Sequence, residues 1–129
     1  MYDKIIDALR RKAVAEALEA AHTLVTAQPS DADAHRWLAA ALQQNGESQA
    51  ALASIDEAIV LVPERADLQR GLVVPLTRMA QLEPDKAHAY LGRALQILRT
   101  LKSTGRQFAQ LDEWIAILEQ SLEHLGPAN

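Results

Sequence analysis

Four arginines, Arg10, Arg36, Arg70 and Arg78, are the side chains whose type and spacing suggest a specific chemistry. A guanidinium fork pairs with a carboxylate through two parallel hydrogen bonds. Arg36 and Arg70 stand about 34 residues apart, the period of a common helical repeat. Such a set could hold an acidic segment or a free C-terminal carboxylate, or be ordinary solvated arginines on exposed helix faces. The histidines, His22, His35, His88 and His124, do not join a second histidine or a carboxylate in a metal-binding pattern such as H-E-x-x-H. Asp31 and Asp33 lie close to His35 but suit helix capping better than metal binding. There is no G-x-S-x-G, no phosphate-binding glycine loop and no dinucleotide fingerprint. The expectation is a protein without catalytic residues, cofactor or metal.

The totals narrow the class. A chain of 129 residues suffices for one domain with a modest core. Its hydrophobic fraction is 49% but its aromatic fraction only 4%, so alanine and leucine carry the apolar content, which favours packed helices over sheets. A net charge of −4 provides no basic field to attract nucleic acid. Cysteine is absent, which removes disulfides and thiolate metal sites. Apolar runs are short and broken by charge, so no membrane span is expected. Asp3, Asp7 and the following arginines interrupt the stretch that a signal peptide would need. A cytoplasmic protein is the expected class.

The elements that must position the arginines are helices. The clearest unit is DADAHRWLAAALQQNGESQAALASIDEAIVLVPE, Asp31 to Glu64. It predicts helices over Ala32–Gln44 and Ser48–Leu61, parted by Asn45-Gly46 and stopped by Pro63. Ser30, followed by Asp31 and Asp33, is the expected N-cap. Upstream, short and longer helices are expected over 3–11 and 13–27, with no glycine between them. Downstream, a helix from Ala66 to Gln81 should kink at Gly71, whose carbonyl Pro75 would meet, or break around Val74, because Pro75 would cost a regular helix about 3 kcal/mol. Pro84 suits the first turn of the next helix, which ends at the linker Lys102–Arg106. A last helix is expected over Gln107–His124. In it Phe108, Leu111, Ile115, Leu118, Leu122 and Leu125 recur at three and four.

The Asp31–Glu64 unit resembles a tetratricopeptide repeat, whose pattern is W-x2-L-G-x2-Y, then A-x3-F, then Pro. His35, Leu38, Ala39, Leu42, Ala51, Ile55, Ala58 and Pro63 occupy the matching positions, with aliphatic residues where the family has large aromatics. Ala17, Ala21, Leu24 and Pro29 match the second half of a preceding unit. Leu72, Val73, Leu76, Ala87, Leu91 and Ala94 match a following one with a longer internal loop. The resemblance implies an all-α fold of antiparallel helix pairs, a short α-solenoid. It would have about three repeats, over residues 1–30, 31–64 and 65–101, with a capping helix over 107–125.

Proteins similar to this family bind peptides or protein segments on the concave face formed by the first helix of each repeat. By that resemblance the groove would present Tyr2, Ile6 and Leu9, then Asp33, Arg36, Ala40 and Gln43, then Asp67, Arg70, Val74 and Thr77. Arg10 and Arg78 would join the arginines. The implied function is a non-catalytic scaffold or adaptor for a protein or peptide partner, with an acidic or C-terminal segment favoured by the arginines. The Lys/Asn pattern by which some members hold a terminal carboxylate is missing.

Trp37 and Trp114 have two readings. Both pad a core short of aromatics, or Trp114 forms an apolar patch with Ile117 and Leu118 for a partner or a second copy. The alternative function is therefore a self-associating module or small chaperone that uses the C-terminal helix.

Overall fold

The computed structural model describes residues 1–106 and 108–126, and helices are its only regular elements. In chain order they are α1 (Asp3–Arg10), α2 (Val14–Ala27), α3 (Ala32–Gln44), α4 (Ser48–Leu61), α5 (Ala66–Gly71), α6 (Val73–Leu82), a 3-10 turn (Pro84–Lys86), α7 (Ala87–Ser103) and α8 (Leu111–Leu125). No strand occurs among the described residues, and no helix there is long and apolar enough to cross a membrane. The chain forms two compact units, Met1–Leu68 and the residues from Gln69 on, with the division falling inside α5.

The first unit is held by small residues. Ala8, Ala17 and Ala41 form one fully buried cluster, with Leu9, Ala13 and Leu18 packed against it. Ala32, Ala58 and Leu68 form another, edged by Ile59 and Val62. An alanine adds no bulk beyond its Cβ, so helix axes can approach closely and little side-chain entropy is lost. α3 and α4 fold back on one another, and α2 packs on α3. The turn between α3 and α4 places Gly46 at φ 82, the left-handed region expected of it. The N-cap of α3 differs from the expected residue. Asp31, not Ser30, caps the helix, its carboxylate accepting the Asp33 N–H at 3.0 Å. A carboxylate there also suits the positive end of the helix dipole.

No glycine was available between α1 and α2, and Lys12 takes the left-handed conformation instead, at φ 60. A side chain with a Cβ is strained there. Lys12→Gly is expected to stabilise the protein by about 0.5–1 kcal/mol, read as a higher urea midpoint. A lower midpoint would show that the lysine stem contributes packing that outweighs the strain.

In the second unit α6 and α8 each pack on α7. Its core is larger-grained, with Leu72, Leu76, Leu98 and Leu111 fully buried. The expected helix from Ala66 to Gln81 is in fact two helices, α5 and α6, parted at Leu72, between the kink expected at Gly71 and the break expected around Val74. The break puts Pro75 in the first turn of α6, where its missing N–H would have had no helical partner. The Leu76 N–H then restarts the ladder on the Leu72 carbonyl at 3.0 Å. Pro84 opens a 3-10 turn rather than α7 itself. The last helix begins at Leu111 rather than Gln107, which lies outside the described residues.

Candidate functional site

In the first unit, the polar residues expected to line a groove are mostly engaged by neighbouring side chains. Arg10 is exposed and pairs with Asp7 at 2.8 Å. Arg36 lies 3.9 Å from the Asp67 carboxylate and 4.7 Å over the Trp37 ring. Trp37 is thus half-buried under a cation. Ala40 is partly buried, and Gln43 turns its Oε1 into the interior, where no protein donor meets it. Tyr2 O–H donates to Asp31 at 2.5 Å. That bond, with burial and nearby acids, pushes the phenol up to about 12.

The hub of this end is Arg65, which no sequence motif singles out. It donates two hydrogen bonds to Asp67, at 3.1 and 2.6 Å, and a third to Asp33 at 2.9 Å. The bidentate hold lowers the Asp67 carboxyl below its ordinary value of 3.8. A carboxyl lowered on folding contributes stability above its unfolded value and loses it as pH falls through the folded one. Solvent reaches about a third of each side chain, 30% for Arg65, 34% for Asp33 and 37% for Asp67, which screens the network. Arg65→Gln is expected to cost about 1–2 kcal/mol at neutral pH. The difference from the parent should shrink as pH drops below 3.8. A difference that stays constant with pH would assign the loss to packing of the arginine stem. The network fastens the start of α3 to the start of α5, so Asp33 and Asp67 are structural before they are anything else.

The second unit is different. An apolar cleft runs between α6 and α8, in two lobes of about 530 and 290 Å³. Both lobes share Thr77, Ile117 and Leu118, so they are continuous. The smaller lobe is closed by Val73, Val74 and Trp114; the larger extends along Gln81, Ser121, His124 and Leu125. Val74 is 52% exposed, Ile117 51% and Leu125 45%, although each is a large hydrophobic side chain. Isolated exposed hydrophobics are ordinary, but three lining one cleft mark a contact surface.

Arg70 and Arg78 of this unit adjoin the cleft through residues that touch or form its walls. Arg70 stacks over the Phe108 ring at 5.0 Å. Phe108 in turn meets Trp114 edge-on, with centroids 5.3 Å apart. Arg78 donates to Gln81 Oε1 at 3.1 Å. Neither arginine has a carboxylate partner among the described residues.

Two separate expectations therefore meet in one place. Val74, from the expected groove, and Trp114, Ile117 and Leu118, from the expected patch on the last helix, line the same cleft. Leu118 is 5% exposed and turns inward, so it forms floor rather than surface. Phe108 was expected in the seam of the last helix; it precedes that helix and serves as the platform for Arg70. Gln81, Ser121 and His124 were not anticipated as lining residues. The available signal on α8 was a stripe of Trp114, Ile117, Ser121 and His124, which recur at steps of three, four and three. A second cleft, about 340 Å³ between α1 and α2, has Lys4, Glu16 and Glu19 around it and no converging set. Among the described residues no group of three His, Asp or Glu side chains is placed to hold a metal ion.

Comparison with protein-family models gave no match, and comparison with curated proteins gave none.

Proposed function

We propose that this protein is a non-catalytic binding scaffold, built as a short tetratricopeptide-like array, that takes a protein or peptide segment in the cleft between α6 and α8. The observation that carries the proposal is that cleft, with Val74, Ile117 and Leu125 each about half exposed along it. The array reading is supported by the folded-back pair α3 and α4 and by the starts of α3 and α5, which fall about 34 residues apart. It is supported too by alanines at the close approach of the helices, Ala39, Ala51 and Ala58, all buried. In proteins similar to that family the first helix of a pair faces the ligand, and α6 holds that place in the third pair.

A preformed cleft binds at low ordering cost, because its walls do not have to be assembled first. Two helices fixed on a third meet that condition. The same exposed side chains support self-association as a second reading, since Ile117 and Val74 would be covered by another copy equally well.

The test is a selection from a displayed peptide library against the parent and against Ile117→Asp. The proposal expects ligands that bind the parent and are lost with the variant. Ligands that bind both equally would place the binding surface elsewhere.

A further inference from the structure

α6 and α8 each pack on α7, and the cleft between them leaves Val74, Ile117 and Leu125 about half exposed. In antiparallel bundles such a cleft is filled by a further helix, whose apolar stripe completes the core. The exposed hydrophobics of the cleft lie where that stripe would rest. They are spread along α8, from Ile117 to Leu125, and onto α6 at Val74. An elongated apolar trough between two fixed helices suits the face of an amphipathic helix, which presents side chains every three and four residues.

The charge around the trough selects among such helices. Arg70 lies over the Phe108 ring, and Phe108 meets Trp114, a wall of the smaller lobe, edge-on. Arg78 is held by Gln81, a wall of the larger lobe. Arg99 and Lys102 of the same unit are already paired, with Glu119 at 2.6 Å and Asp112 at 2.7 Å. Arg70 and Arg78 have no such partner among the described residues, so most of their N–H donors stay open. A guanidinium already stacked on a ring has less freedom to lose when it meets a carboxylate.

We infer that the cleft seats one amphipathic α-helix of a partner protein, aliphatic along its buried stripe and carrying Asp or Glu on the flank beside Arg70 and Arg78. This rests on the binding function proposed above and adds the chemistry of the partner. The negative total charge of the chain does not oppose it, because the two unpaired cations act at contact distance, inside the screening length beyond which the remaining charges count for little.

The experiment uses synthetic helical peptides with leucine at i, i+3, i+4 and i+7. One carries Glu flanks and its twin carries Lys flanks. Trp37→Phe leaves Trp114 as the tryptophan reporter in the full chain. The Glu peptide should change Trp114 emission and bind about tenfold more tightly than its Lys twin, a preference that fades with salt. In the Arg70→Gln/Arg78→Gln double variant, whose side chains are exposed, the peptide should still bind but the preference should vanish. Equal binding of the twins to the parent overturns the acidic-helix inference and leaves the cleft reading standing. No response to either peptide, together with library ligands that depend on Ile117 but form no helix, overturns the inference alone. Failure of the library ligands as well overturns both. A mass that doubles with concentration and reverts in Ile117→Asp overturns the partner helix in favour of a second copy.

Discussion

Leu118→Asp is expected to unfold the second unit, whereas Ile117→Asp, one residue earlier, is expected to leave it folded. The two positions share a helix and a cleft but not an environment. Leu118 is 5% exposed and packs toward α7 with Leu111 and Ile115. A carboxylate there would be buried without a cation, on top of the lost leucine burial. The cost is about 4 kcal/mol or more, a large share of the stability of a small domain. Ile117 is 51% exposed, so an aspartate there reaches water. Surface substitutions of that kind change stability by about 0.5 kcal/mol. Far-UV circular dichroism with a urea titration separates the two outcomes. Equal destabilisation by both would mean that Ile117 is covered, and would remove the apolar cleft from the account.

The pair also shows what the sequence could and could not reveal. A stripe of Leu111, Ile115 and Leu118 was legible from its spacing, and so was the off-stripe position of Trp114 and Ile117. Nothing local indicated that α6 would lie across from them, because that depends on where the chain breaks before Pro75. A break at Val74, expected as the alternative to a kink at Gly71, would have left Val74 in a distorted turn. The observed break at Leu72 places it inside a regular helix, facing the cleft. The spans of α3 and α4 were fully legible, since Asn45-Gly46 and Pro63 are strong stops and the alanine pattern is regular. The turn at Lys12 was not, because a lysine carries no signal for a left-handed backbone. The arginines were legible as types but not as partners. Arg10 and Arg36 lie against Asp7 and Asp67, while Arg70 and Arg78 adjoin the cleft through Phe108 and Gln81, and only tertiary contacts decide which is which.

Leu98→Ala should produce the second large effect, through the core rather than the site. Leu98 lies near the middle of α7, the helix on which both α6 and α8 rest, and its exposure is 0%. Truncation removes buried methyl groups and leaves a hole between elements that cannot collapse independently. The expected loss is about 2–5 kcal/mol. A thermal scan would show it as a fall of roughly 10 °C or more in Tm for the unit that contains it. Ligand binding should weaken less than stability does, provided the variant is measured below its transition, since Leu98 does not line the cleft. A loss below about 1 kcal/mol would mean that α7 is not the packed spine that α6 and α8 need.

The α6–α8 cleft is proposed as the surface this protein uses. Methyl-detected NMR of the full chain, titrated with a peptide recovered from library selection, tests it most directly. The account predicts that the methyl signals of Val74, Ile117, Leu118 and Leu125 shift together and saturate at one affinity, while those of Ile5, Leu38 and Ile55 in the first unit stay in place. Shifts confined to the first unit, or a bound peptide that moves none of the four cleft methyls, would contradict it.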